Sequence, residues 1–211
     1  MEMKLSMTEP VEYLEGRVKD LTKVQRFYRR FKNQRIRIQW DAIPQVQFAQ
    51  HHGKQSYFFC HELLPRNPDT NETSEHMPFF HDIIEEFMHD KKIKYDKITR
   101  SCLNLTYHIP GRKWCDPHVD NYFNHYSVIL YLNKVAGNTV VFDKTVPFDG
   151  KHDGIYYYNE YDWDNDPPMN VKYEATPEVG KIVLFRGDQL HAYKSTDPGD
   201  LRLVCVYNLS Y

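Results

Sequence analysis

The stretch WCDPHVDNYFNHYSVILYLN, residues 114–133, places His118 and Asp120 two residues apart at the head of an apolar, strand-like run. On an extended chain, residues two apart point the same way, so an imidazole and a carboxylate would leave this strand together. A carboxylate turned toward a protein interior needs a cation, a metal or hydrogen bonds. By itself the pair says little, because a chain with 11 histidines and many aspartates meets this spacing by chance. A third ligand has to come from elsewhere. His191, in GKIVLFRGDQLHAYKS (180–195), closes a second apolar run and is the candidate. Two imidazoles and one carboxylate on one face suit non-haem Fe(II) and leave adjacent coordination positions open. Zinc more often takes three or four ligands that include Cys or a third His.

Arg202 stands in GDLRLVCVYNLSY (199–211), at the start of another apolar run. If it faces inward it needs an anionic partner, and its planar fork matches a carboxylate. If Leu201 faces inward instead, Arg202 faces water, and alternation within the strand does not choose between the two. Lys194 is the fallback for a carboxylate anchor. Trp114 and Asn121 flank the proposed ligands and would line a cleft there. The other histidines show no second ligand at metal spacing and read as ordinary surface or core residues.

These residues have to be positioned by elements that the hydrophobic pattern outlines. Val11, Leu14, Val18, Leu21, Val24, Phe27 and Phe31 fall at steps of three and four, which predicts one long amphipathic helix over 11–31. A second helix is predicted around Phe79, Phe80, Ile83, Ile84, Phe87 and Met88, after a polar loop at 66–78. From residue 98 the texture changes to short apolar or alternating runs broken by Gly, Pro, Asn and Asp. Candidate strands are 98–108, 126–133, 139–143, 181–186, 190–194 and 201–208. The acidic, tyrosine-rich segment 143–175 reads as an insertion between two core strands. Helices followed by many short strands predict a mainly β domain with supporting α, in which helices pack on a barrel or sandwich.

Composition narrows the function classes. The chain has 211 residues, enough for one domain, and a formal net charge of −2, which argues against a whole-molecule attraction to nucleic acid or membrane. The basic stretch 23–37 is the one feature that favours nucleic acid, and the solvated face of a helix is the simpler account of it. No apolar run is long enough to span a bilayer. The acidic N-terminus does not read as a signal peptide, and four scattered cysteines read as reduced thiols. A cytoplasmic protein is the expectation.

The order of parts resembles the 2-oxoglutarate- and Fe(II)-dependent oxygenases, and within them the prolyl-hydroxylase branch. LTYHIPG (105–111), PHVDN (117–121), VILYLNK (128–134), AGNTVVF (136–142), GKIVLFRGDQLHA (180–192) and LRLVCVYNL (201–209) carry the resemblance, which covers about half of the chain. It implies a double-stranded β-helix (jelly-roll or cupin-like) core over 98–211, supported by a mainly helical 1–97. It also implies Fe(II) held by His118, Asp120 and His191, and the distal carboxylate of 2-oxoglutarate held by Arg202. Tyr107 and Tyr131 would lie beside that co-substrate. The implied activity is a dioxygenase that uses O2, is stimulated by ascorbate, and hydroxylates a peptide or protein residue such as proline while releasing succinate and CO2. A small molecule, a nucleic-acid base, or mere ligand binding without turnover are the alternatives. Three features depart from the pattern: Asn138 stands where a second glycine is usual, segment 143–175 is long, and Arg202 lies slightly far from His191.

Overall fold

The computed structural model describes residues 9–44, 57–66, 72–111, 114–147, 156–157 and 169–211. The elements in chain order are β1 (Tyr13–Arg17), α1 (Leu21–Lys32), β2 (Asp41–Pro44), β3 (Tyr57–Leu64), α2 (Met77–Lys91), β4 (Lys97–Tyr107), β5 (His118–Val119), β6 (His125–Tyr131), β7 (Thr139–Thr145), β8 (Tyr156–Tyr157), β9 (Val171–Ala175), β10 (Lys181–Arg186), β11 (Gln189–Tyr193) and β12 (Leu201–Ser210). They form a seven-stranded sheet in the order β1-β10-β6-β12-β4-β3-β2 and a five-stranded sheet in the order β8-β5-β11-β7-β9. All of the pairings are antiparallel. This is the mainly β jelly-roll core with supporting helices that the sequence predicts.

The strands predicted from residue 98 onward appear within a few residues of their expected bounds. The N-terminal part is different. The helix expected over 11–31 is strand β1 followed by the shorter helix α1. Asp20 stops the helix from extending backward, because its side chain accepts hydrogen bonds from the backbone N–H of Thr22 (3.0 Å) and Lys23 (3.4 Å) as an N-cap. Ahead of it, Tyr13 to Arg17 pair with Phe185 to Lys181 of β10. Val11, Leu14 and Val18 reach the same apolar cluster from strand and turn that they would have reached from a helix. With β2 and β3 also in the large sheet, residues 1–97 contribute three of its strands as well as the two helices.

The core has layers. On the outer face of the large sheet, α1 and α2 bury Val24, Phe27, Phe80, Ile84, Phe87 and Met88 against Leu103, Leu130, Leu184, Leu203, Cys205 and Tyr207. Between the sheets lie Ile129, Tyr131, Val141, Val183, Phe185, Val204 and Val206. Behind the small sheet Trp114, Val119, Val140, Phe142 and Leu190 form a third cluster. The four cysteines are free thiols, all buried. The two sheets are tied at one edge. There Tyr13 of β1 stacks on Tyr173 of β9 with centroids 4.2 Å apart, and Glu12 accepts from the Tyr173 hydroxyl and pairs with Lys172. Within the segment predicted as an insertion, 143–145 continue β7 and 171–175 form β9 beside it. Residues 148–155 and 158–168, like part of the 66–78 loop, lie outside the described residues.

Helix α2 is held to the large sheet by packing and by one buried hydrogen bond, from the Tyr207 hydroxyl to the Phe80 carbonyl at 2.9 Å. Phe80 is fully buried. Phe80→Ala should therefore cost about 3–5 kcal/mol of stability through lost contacts and a residual cavity. Tyr207→Phe, which removes only the hydroxyl, should cost about 1 kcal/mol. Urea unfolding of both variants checks the ranking.

Candidate metal centre and cavity

Register brings the ligands together. His118 on β5 stands directly opposite His191 on β11, so their rings leave the small sheet side by side, with centroids 4.6 Å apart. The chain bends after Val119, and Asp120 turns its carboxylate between the two sheets. Asp120 Oδ1 lies 3.9 Å from His118 Nε2, and Oδ2 lies 3.8 Å from His191 Nε2. One ligand atom from each of the three residues falls within 4.8 Å of the others, the only such group of three among the described residues.

The tautomers follow from the partners. His118 Nδ1 is 2.8 Å from the Asp116 carbonyl, and His191 Nδ1 is 3.2 Å from the Gln189 carbonyl. A carbonyl only accepts, so each Nδ1 carries the proton and each Nε2 presents a lone pair to the shared point. Burial, and then the neighbouring His118 imidazole, push the pKa of His191 down to about 4, which keeps it in the neutral, ligating form at neutral pH. Burial alone would raise the pKa of Asp120, but His191, His118, Arg100 and Arg66 around it hold the carboxyl well below the usual range. Its Oδ2 accepts from Ser127 Oγ (3.1 Å) and Asn208 Nδ2 (2.9 Å), both on the large sheet. His125, buried against Gly187, supports Ser127 from 3.4 Å. Two imidazoles and a carboxylate, each fixed by an outer partner and open on one side, fit a divalent transition metal such as Fe(II).

A single cavity joins this triad to Arg202. It is lined by His118, Asp120 and His191 and also by Thr106, Thr139, Tyr193, Arg202, Asn104, Arg100 and Phe58. Arg202 faces inward and is 3% exposed. Its Nη2 donates to Thr139 Oγ1 at 2.8 Å, and its guanidinium lies 5.5 Å from the Tyr131 ring and 5.4 Å from the Tyr193 ring. Tyr131 is fully buried and donates its hydroxyl to the same Thr139 oxygen at 2.6 Å. Lys194 is committed to Glu174 at 2.5 Å and gives Arg202 no competition. Thr139 pairs with Tyr193, two residues from His191, so the guanidinium's partner stands about 7 Å along the strand from the triad.

Tyr107 does not join them. It is 40% exposed, on the opposite face of β4, with its ring against Phe59 at 5.8 Å. Its neighbour Thr106 takes the inward place opposite Arg202, and its buried Oγ1 has no partner. Trp114 packs on Phe142 and Asn121 accepts from Arg66, so both are buried near the site without lining the cavity. Thr106, Thr139, Ser127, Asn208 and Arg100 were not singled out from the sequence. Each sits at an even-numbered step from a recognised residue on its strand or its partner, and strand register is the signal that finds them.

No family model matches the sequence, and no curated protein matches it either. Solved structures do match in three dimensions. An oxidoreductase of the 2OG-Fe(II) oxygenase family from Burkholderia pseudomallei has 16% identity and a TM-score of 0.56, covering 87% of this chain and 78% of that one. The non-haem alpha-ketoglutarate-dependent epimerase SnoN from nogalamycin biosynthesis has 12% identity and a TM-score of 0.62, covering 94% and 78%. A prolyl-4-hydroxylase from Pseudomonas putida has 12% identity and a TM-score of 0.51, covering 94% and 92%. This chain has their fold.

The outer partners of Asp120 give a direct test. Asn208→Ala and Ser127→Ala should each weaken metal binding about 10–100-fold while leaving the fold intact. His191→Ala, which removes a ligand, should weaken it further. Calorimetric titration with Co(II) or Mn(II) reads both, and unchanged affinity in His191→Ala would place the metal elsewhere.

Proposed function

We propose that the protein is an Fe(II)- and 2-oxoglutarate-dependent dioxygenase that hydroxylates an organic substrate. The observation that carries this reading is one cavity that holds both a facial His–Asp–His set and a buried arginine without a carboxylate partner among the described residues, whose own partner Thr139 stands about 7 Å along the strand from the triad. That spacing suits a short dicarboxylate with one end at the triad and the other at Arg202. The likeness to the three oxygenase-fold structures agrees with it.

His118, Asp120 and His191 would hold iron, which with 2-oxoglutarate and O2 supplies oxidative decarboxylation to succinate and CO2 coupled to C–H hydroxylation. The chain's own residues bind and orient. Arg202 offers a fork to the distal carboxylate, the Thr106 and Thr139 hydroxyls stand beside it, and Tyr131 and Tyr193 wall the guanidinium off from water. Desolvation strengthens that ion pair. Burial pushes the pKa of Tyr131 up, so its phenol stays protonated and keeps donating to Thr139. Ser127 and Asn208 fix the carboxylate of Asp120, and the carbonyls of Asp116 and Gln189 fix the imidazoles.

The motif order and the prolyl-4-hydroxylase likeness favour a peptide or protein residue such as proline as substrate, while the likeness to SnoN extends the fold to small molecules. The basic helix α1 exposes Lys23, Arg26, Arg29 and Arg30 on the face away from the sheets, far from the triad in the layer order, so nucleic acid is not the reading we adopt.

Succinate formation with Fe(II), ascorbate and 2-oxoglutarate tests the chemistry even without substrate. Wild type should form succinate, and His191→Ala and Asp120→Ala should lose it. Arg202→Ala should retain metal binding but require at least about tenfold more 2-oxoglutarate, the loss of a charge-assisted hydrogen-bonded pair. Equal succinate from wild type and the two ligand variants would end the proposal.

A further inference from the structure

Arg100 is the second guanidinium in the cavity wall, and the mechanism above leaves it unused. It is 8% exposed and lines the same cavity as the triad. Its Nε is buried with no hydrogen-bond partner, and its Nη2 meets only the Cys60 sulfur at 3.9 Å. A thiol is a weak acceptor and does not neutralise a cation. Among the described residues no carboxylate lies within ion-pair distance of it. Its neighbour Cys102 donates to Asn104 Oδ1 at 3.4 Å, and Arg66 is engaged with Asn121 and the Asp120 carbonyl. Asp120 and Glu62 act on it through the electrostatic field and without a hydrogen bond, and a buried guanidinium costs several kcal/mol unless an anion meets it directly.

Its position separates it from Arg202. On the paired strands β4 and β12, Arg202 stands opposite Thr106 and Arg100 opposite Asn208. Six residues of strand put the two starting points about 20 Å apart. Asn208 also holds Asp120, so Arg100 belongs to the metal end of the cavity. Phe58 and Asn104 share the wall with it and supply an apolar ring and an amide.

Building on the dioxygenase reading, we infer that the substrate carries a carboxylate, which Arg100 holds at the metal end of the cavity while Arg202 holds the co-substrate. With Nε buried out of reach, the terminal amino groups are what a carboxylate would meet. The backbone of an internal peptide residue brings only neutral amides, so the proline favoured by the motif order would have to reach this spot as the free amino acid or beside a carboxylate of its own peptide. The substrate class is a carboxylic acid.

Matched probes that differ only in that group test the assignment: proline against prolinamide, and benzoate against benzamide. Each is titrated into wild-type protein saturated with Mn(II) and 2-oxoglutarate under nitrogen, with binding read from the line widths of the probe's NMR signals. At least one acid should bind about tenfold more tightly than its amide, the loss expected for one charge-assisted pair. Arg100→Gln should lose that preference by a larger factor than it loses 2-oxoglutarate affinity, and Arg100→Lys should keep part of it. Equal binding of acid and amide, or no binding of either, in the wild type overturns the inference without any variant having to fold. So does a preference that survives in Arg100→Gln. A thiolate absorbance that vanishes in Cys102→Ser would make Cys102 the counter-ion of Arg100 and overturn it as well. Failure of the dioxygenase reading looks different, because wild type would then neither bind 2-oxoglutarate nor form succinate.

Discussion

Asp120 buries a carboxylate between two β-sheets, and the rest of the centre is arranged around keeping it there. At 5% exposure it has lost most of its water. An uncompensated charge in that position would be neutralised by a shifted pKa or would unfold its surroundings. Ser127 and Asn208 reach it from the large sheet while His118 and His191 approach from the small one. The same carboxylate therefore ties the two layers together and gives the imidazoles a common focus. The directly opposed pair His118 and His191 sets the spacing, and a slip of one residue in β11 would turn His191 to the other face.

A second polar tie crosses the layers at the other end. Arg202 and Tyr131 come from the large sheet and converge on Thr139 of the small sheet. The two ties stand where apolar packing between the layers gives way to a cavity. The polar groups in this interior are thus concentrated around the cavity, with Val204, Ile129 and Val183 filling the space beside them.

Much of this was legible from the sequence, for definable reasons. His118 and Asp120 stand at the head of an apolar run and His191 follows another, where two-residue spacing and apolar runs mark the inward face. Arg202 could not be oriented from its own strand, because both faces of β12 are apolar; pairing with Thr106 is what turns it inward. Tyr107 failed for the same physical reason in reverse. A period of two makes a one-residue error a complete change of side, and the inward place belongs to Thr106. In the N-terminal half, Val11, Leu14 and Val18 fit helical spacing by coincidence. Pairing with β10 and the Asp20 cap, neither visible in the apolar pattern, decided for a strand and a shorter helix. The outer partners Ser127 and Asn208 lie on strands other than that of the group they hold, and only long-range pairing reveals them.

The Tyr13–Tyr173 stack closes the sandwich along the β1/β9 side. Thr139 and Tyr131 lie toward that side, in the same inter-sheet cluster as the two rings. Parting the layers there would mean separating two stacked aromatic faces, so the polar tie at Thr139 is sheltered behind an apolar seam.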